Sequence, residues 1–113
     1  MNTITTRRFD VIAKHLANRE AFRTNGALRG DSAFAPFDAL LNGHGRLPAD
    51  WSRTLQARWN LIDYVVWSYA TPICWRDKEA GWVVPDEHYS QTTSVHQGRI
   101  QAALAFLGED YSE

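Results

Sequence analysis

Residues 64–85 carry the clearest structural signal in the chain and read YVVWSYATPICWRDKEAGWVVP. β-Branched and aromatic residues fill 64–69 and 71–76, a composition typical of strands, and a proline is tolerated near the start of the second run. A turn at 77–81 leads into a third apolar run at 82–85. Because such short connections cannot form a parallel crossover, the stretch predicts a three-stranded antiparallel meander.

Outside the meander, the apolar spacing predicts two or three helices. Residues 49–61 start beside Pro48 and Asp50 and place apolar side chains on one stripe, as in an amphipathic helix. Ser94 and Gln97 have the spacing of a capping box, which predicts a last helix that begins at Ser94. Gly108 stands where this helix would end. An earlier helix would begin after Thr5 or Thr6 as its cap.

The predicted fold class is therefore α+β: a small antiparallel meander of three or four strands packed against two or three helices, in a single domain over 1–113. A strand within 22–30 can complete the sheet, with the Asn25-Gly26 and Arg29-Gly30-Asp31 segments as turns. The prediction depends mainly on the patterns in residues 64–107, and residues 1–45 contribute least to it. The expected core members are Trp51, Leu55, Trp59, Ile62, Val66, Ile73, Val83, Ile100, Leu104 and Leu107.

Strands 64–69 and 71–76 are apolar on both faces. A sheet covered on both sides would explain this pattern, and so would a homodimer interface. The sequence does not choose between the two.

Composition excludes several classes of protein. The 113 residues hold 12 basic and 13 acidic side chains, a net charge of −1, which argues against a strongly basic nucleic-acid binder. No apolar run is long enough to cross a membrane, and the first residues lack the apolar stretch of a secretory signal. The single cysteine, Cys74, allows no internal disulfide. We expect a cytoplasmic protein.

No catalytic, metal or cofactor motif is found. The four histidines lack metal-ligand spacing, and no nucleotide-binding fingerprint occurs. Ser90 or Ser94, His96 and Asp86 could be written as a hydrolase triad, but no nucleophile elbow supports one. The sequence therefore predicts no catalytic residue, no metal ligand and no cofactor.

Hydroxyl-bearing residues crowd the start of the last helix. Besides the capping pair, the segment 89–97 contains Tyr89, Ser90, Thr92, Thr93 and His96. One interpretation, which we favour, is that these groups tie the strand-to-helix junction by bonding its own backbone. The other is an anion or carbonyl site at the exposed amides of the helix start.

Two motifs resemble a known family. The pattern S-Y-x-T-P-I-x-W at 68–75, followed by Y-S-x-T-T-S-x-H-Q at 89–97, is similar to that of short uncharacterised proteins encoded by phages, prophages and bacteria, often actinobacterial. The resemblance covers about 65–100 and implies a phage-type origin, hence a host cytoplasm. It implies no established activity.

The same resemblance suggests that the two motifs meet in space. The strand residues Ser68, Tyr69 and Thr71 would lie against Thr92, Thr93 and His96 and form a polar network at one end of the sheet. If every group is satisfied, the network locks the meander onto the last helix; if it is partly open, it forms a small binding site. A neutral, hydrogen-bonding His96 is the favoured reading over proton transfer.

Three functions follow as hypotheses. The first is a non-enzymatic phage-type accessory protein that binds a host or phage protein, since Trp and Arg are enriched at interface anchors. The second is a nucleic-acid-binding module that uses Trp and Tyr stacking with the basic N-terminal residues. These basic residues are Arg7, Arg8, Lys14, Arg19, Arg23 and Arg29. The third is a small enzyme built around His96.

Overall fold

A computed structural model describes residues 3–4, 8–24, 26–31 and 46–112 of the chain. Within these ranges the fold is α+β, as predicted. The helices are α1 (Phe9–Ala17), α2 (Ala49–Ala57) and α3 (Gln91–Leu107), and a 3₁₀ turn covers Trp59–Leu61. The strands are β1 (Thr3–Ile4), β2 (Phe22–Thr24), β3 (Leu28–Asp31), β4 (Ile62–Ser68), β5 (Thr71–Asp77), β6 (Gly81–Val83) and β7 (Tyr111–Ser112).

The described strands form one sheet in the order β1-β2-β3-β4-β5-β6-β7. The predicted antiparallel meander is its centre, β4-β5-β6. The two short outer strands pair in parallel with their neighbours, β1 with β2 and β7 with β6. Only two residues, Tyr69 and Ala70, connect β4 to β5, so that Ser68 pairs with Thr71 at the end of the hairpin.

The predicted additional strand within 22–30 does complete the sheet, since β3 pairs with β4. The region forms two antiparallel strands, β2 and β3, rather than one. The Arg29-Gly30-Asp31 segment, read as a turn, belongs to β3. Gly30 serves close packing there, because a Cβ at this position would collide with the Tyr64 hydroxyl and the Phe22 ring.

Alternating side chains of β4 supply two hydrophobic cores, one on each face of the sheet. Tyr64 and Val66 pack with α1 and α3, whereas Val65 and Trp67 pack on the side of α2. The apolar character of both strand faces is therefore explained by two covering layers. Cys74 is a fully buried core residue, and burial raises the pKa of its thiol above the usual range.

Most expected core residues are buried. Leu55, Ile62, Val66, Ile73, Val83, Ile100 and Leu104 lie in the two cores. Trp51, Trp59 and Leu107 are half-buried and pack against the edges of the cores. The indole rings that fill the interior belong to Trp67, Trp75 and Trp82.

The helix predicted over 49–61 ends earlier, at Ala57. Residues 59–61 form the 3₁₀ turn, which leads directly into β4 at Ile62. Arg58, between the two, forms an ion pair with Asp77 and also contacts Glu79. Asp77 accepts further hydrogen bonds from the amides of Glu79 and Ala80 at 2.8 and 3.0 Å.

The apolar stripe of α1 consists of Ile12, Ala13 and Leu16, which are buried. The helix begins at Phe9, and Arg8 at the N-cap position makes no capping hydrogen bond through its side chain. The predicted caps Thr5 and Thr6 lie outside the described residues. No helix in the described ranges is long and apolar enough to span a membrane.

Candidate functional site

A buried polar network connects β4 to α3. Ser68 Oγ at the end of β4 lies 2.7 Å from His96 Nδ1 and 3.2 Å from Thr93 Oγ1. Ser90 Oγ lies 3.1 Å from the same Thr93 hydroxyl. Ser68, Thr93 and His96 are at most 5% exposed, so these hydrogen bonds are shielded from water. The two sequence motifs therefore meet in space as the resemblance suggested.

The network fixes α3 through a cap that differs from the predicted one. Ser90, extended at φ −136° and ψ 167°, is the N-cap, and its Oγ accepts a 3.1 Å hydrogen bond from the amide of Thr93. The helix therefore begins a full turn before Ser94, and the predicted capping box is wrong. Gly108 ends the helix in the left-handed conformation at φ 72°, as predicted.

The two residues of the predicted box have other partners. Ser94 Oγ lies 3.1 Å from His88 Nδ1 in an exposed contact. Gln97 Nε2 donates to the carbonyl oxygens of Pro85 and Glu87 at 3.3 and 3.1 Å. Gln97 thus holds the segment that leads from β6 into the helix. It stabilises the junction through carbonyl oxygens before the helix and not through the N-cap backbone amide, as the predicted box would have it.

A pocket of about 370 Å³ lies above the network, between the β4–β5 turn and the first turn of α3. We call it the Tyr69 pocket. It is lined by Arg46, Ser68, Tyr69, Ala70, Thr71, Ser90, Thr92 and Thr93. Six of the eight residues chosen from sequence therefore line one cavity, and His96 supports it through Ser68.

Tyr69 is the most prominent side chain of this pocket. Its side chain is 60% exposed, and its backbone has φ +56°, a conformation that non-glycine residues seldom adopt. The Tyr69 ring lies 6.4 Å from the His96 ring, centroid to centroid. A large, exposed aromatic in a position suited to glycine adds no core packing, so its presence needs a reason other than stability.

Tyr89, the eighth sequence-predicted residue, does not line the pocket. Its ring packs against both hydrophobic cores at the edge of the sheet. Its hydroxyl is buried without a hydrogen-bond partner among the described residues, and burial raises its pKa to about 12. Tyr89 belongs to the packing of the 84–90 segment.

Arg46 is the pocket residue that sequence reasoning missed. Its backbone amide donates a 2.9 Å hydrogen bond to Thr71 Oγ1, which places it beside the β4–β5 turn. The residue stands 22 positions before Ser68, in a stretch without helical or strand periodicity. No local signal relates it to either motif.

The recorded contacts of the His96 ring are with neutral groups, the Ser68 hydroxyl and the Tyr69 ring. Its pKa is lowered, and the cause is burial, which disfavours the charged imidazolium. Its Nδ1 faces Ser68 Oγ, and no hydrogen bond joins the ring to a carboxylate in the part of the chain that the structure describes. At neutral pH His96 is therefore an uncharged hydrogen-bonding group.

The basic residues near the N-terminus are partly neutralised by neighbouring carboxylates. Arg8 pairs with Asp10 at 3.1 Å, Arg29 with Asp31 at 3.6 Å, and Arg19 Nε lies 4.0 Å from Asp63. Two of these guanidinium groups also lie over buried indole rings: Arg19 over Trp82 and Arg29 over Trp67. Arg7 lies outside the described residues.

The comparisons with known proteins assign no activity. Neither a curated protein nor a solved structure matches the chain. A family model does match, over residues 12–112, a range that includes positions 68–75 and 89–97 of this chain. Because this match covers most of the chain, the protein belongs to the Family of unknown function DUF8033.

Proposed function

We propose that this chain is a non-enzymatic accessory protein of phage type that binds a host or phage protein in the cytoplasm through the Tyr69 pocket. The observation that carries the proposal is the exposed Tyr69 ring, held at positive φ beside a cavity. Backbone conformations of this kind cluster at binding sites, where the cost in stability is offset by function. Tyr and Arg are enriched among the residues that dominate binding energy, and Arg46 lines the same cavity.

The three buried Trp residues do not serve as interface anchors. Trp67, Trp75 and Trp82 are 2% exposed and belong to the cores. They cannot anchor a partner without unfolding. Tyr69 and Arg46 take over the anchoring role in this proposal.

The geometry of His96 favours binding over catalysis. A hydrolytic serine must be reachable by substrate, and its histidine is usually oriented by a carboxylate. Ser68 has no exposed surface, and the His96 nitrogen that a carboxylate would orient faces Ser68 instead. The network thus supports the floor of the pocket.

Nucleic-acid binding is the weaker alternative. Stacking needs exposed aromatic rings, and phosphate neutralisation needs free cations. Three of the five indoles, those of Trp67, Trp75 and Trp82, are buried. Arg8, Arg19 and Arg29 are paired with carboxylates. Salt-sensitive binding to a labelled single strand would revive this alternative.

The proposal is tested by affinity capture with matched variants. Tyr69→Gly removes the anchoring ring at a φ that glycine adopts freely, so that the variant stays folded. A protein captured from host or phage-infected lysate by the wild type should be lost with Tyr69→Gly and retained with Lys14→Ala, which alters an exposed residue of α1. Equal capture by Tyr69→Gly would contradict the use of this pocket.

A further inference from the structure

We infer that the Tyr69 pocket recognises an anionic oxygen group, a carboxylate or a phosphate, on the molecule that it binds. The inference rests on the proposed function, because it names the chemistry that the same pocket would accept.

The described residues that line the pocket carry positive charge and no negative charge. Arg46, whose backbone amide lies beside the β4–β5 turn, is the lining residue that carries a cationic side chain, a guanidinium group. Among the described residues that line the cavity, none is acidic. His96 below the floor is neutral, so the positive charge at the pocket comes from Arg46.

Hydroxyl groups, which can donate as well as accept hydrogen bonds, are common among the lining residues. Six of these residues carry one: Ser68, Tyr69, Thr71, Ser90, Thr92 and Thr93. Three of these hydroxyls, on Ser68, Ser90 and Thr93, already bond to one another. The hydroxyls of Tyr69 and Thr92 have no hydrogen-bond partner among the described residues, and the Thr71 oxygen only accepts, from the Arg46 amide.

Free donors around a single cation suit a ligand that supplies acceptor atoms and negative charge. Charge-assisted hydrogen bonds from guanidinium and hydroxyl groups to carboxylate or phosphate are short and strong. A positively charged ligand would meet the like charge of Arg46, and no described lining residue carries a carboxylate to offset it. A volume of about 370 Å³ lies within the usual range of ligand pockets and leaves room for a group attached to a larger molecule.

The inference is tested by NMR titration of the full chain with sodium phosphate and, separately, with sodium succinate. Sodium chloride at the same ionic strength is the reference. We expect saturable shifts of the amides of Thr92 and Thr93 with at least one of the two anions and only weak, non-saturating shifts with chloride. Saturation with phosphate alone would identify a phosphate group, and saturation with succinate alone a carboxylate.

Two variants complete the test. Arg46→Gln removes the charge but keeps the backbone amide that bonds to Thr71, and it should weaken anion binding about tenfold or more. Arg53→Gln alters an exposed arginine of α2 that is not among the lining residues of the pocket and should leave binding unchanged. Absence of saturable shifts with both anions, or equal affinity of Arg46→Gln and wild type, would overturn the inference. Protein capture that depends on Tyr69 would survive that outcome, so the two proposals fail separately.

Discussion

Gly30 shows how a single residue can be fixed by its neighbours. It lies in β3, where an added Cβ would come within 2.5 Å of the Phe22 ring and still closer to the Tyr64 hydroxyl. Both neighbours are at most 1% exposed and cannot move aside, and the Tyr64 hydroxyl also donates a 2.7 Å hydrogen bond to the Glu20 carbonyl.

We therefore expect Gly30→Ala to lower the free energy of unfolding by about 1–3 kcal/mol, as overpacking of a core does. The control is Gly26→Ala, since a Cβ at that position meets no atom within 4 Å. Urea denaturation measures both variants. Equal stability of the two would show that β3 does not pack as described.

His96 predicts a pH dependence. Burial lowers its pKa in the folded chain below the ordinary value of about 6.5. The unfolded chain then binds the proton more readily, so the stability contributed by neutral His96 is present above that value and is lost as the pH falls below it. The free energy of unfolding should decrease between about pH 7.5 and pH 5.5.

The matched variants are His96→Gln and His88→Gln, the second at an exposed histidine. The first should show a smaller decrease over this pH range, and the second should follow the wild type. Parallel pH profiles for wild type and His96→Gln would mean that His96 titrates as it does in the unfolded chain.

At the scale of elements, α3 depends on its cap. Ser90→Ala removes the acceptor for the Thr93 amide and should cost about 1 kcal/mol of stability. Ser94→Ala changes an exposed contact with His88 and should stay within about 0.5 kcal/mol of the wild type. If Ser94→Ala proved the more harmful of the two, the helix would start at the later serine.

The extent to which the sequence predicts these elements follows from their length and surroundings. β4 and β5 are seven-residue runs of mostly buried side chains, so composition alone identifies them. The short strands outside the meander, β1, β2, β3 and β7, lack such a signal, and in β3 the Gly30 that packing requires resembles a turn residue. The predicted capping box is wrong because Ser90, four residues earlier, offers an equally good cap. Only the path of the 84–90 segment decides which serine is the N-cap.

The candidate site was likewise predictable only in part. Hydroxyl residues in two compact motifs indicated a junction between β4–β5 and α3, and the structure brings them together. Arg46 reaches the cavity through a backbone contact with Thr71, across a sequence separation that no local pattern records. The exposure of Tyr69 depends on a positive φ that the sequence does not reveal.

At the scale of the whole molecule, the sheet carries one helical layer on each face. Asp77 connects the end of α2 with the turn after β5, and its ion pair with Arg58 holds the pKa of the Asp77 carboxyl well below its usual range. The stability from this carboxylate is therefore present at neutral pH and is lost as the pH falls below the ordinary aspartate range.

Asp77→Ala leaves the amides of Glu79 and Ala80 without an acceptor, and it should cost about 1–3 kcal/mol at neutral pH. The control, Asp50→Ala, removes an ion pair with Arg53 in which both side chains are mostly exposed, and it should cost less than about 1 kcal/mol. Thermal unfolding measures both. Equal losses would show that the Asp77 contact adds nothing to the attachment of α2.

On the opposite face, α3 is attached to β4 through the buried side chains of Ser68, Thr93 and His96. The pocket lies above this attachment. The most direct measurement is a double-mutant cycle of Ser68→Ala and His96→Ala, with the exposed Ser94–His88 pair as the control cycle. A coupling free energy of about 1 kcal/mol or more between Ser68 and His96, with almost none in the control, is the predicted result. Additive losses at Ser68 and His96, within about 0.5 kcal/mol, would contradict the structural role of the network.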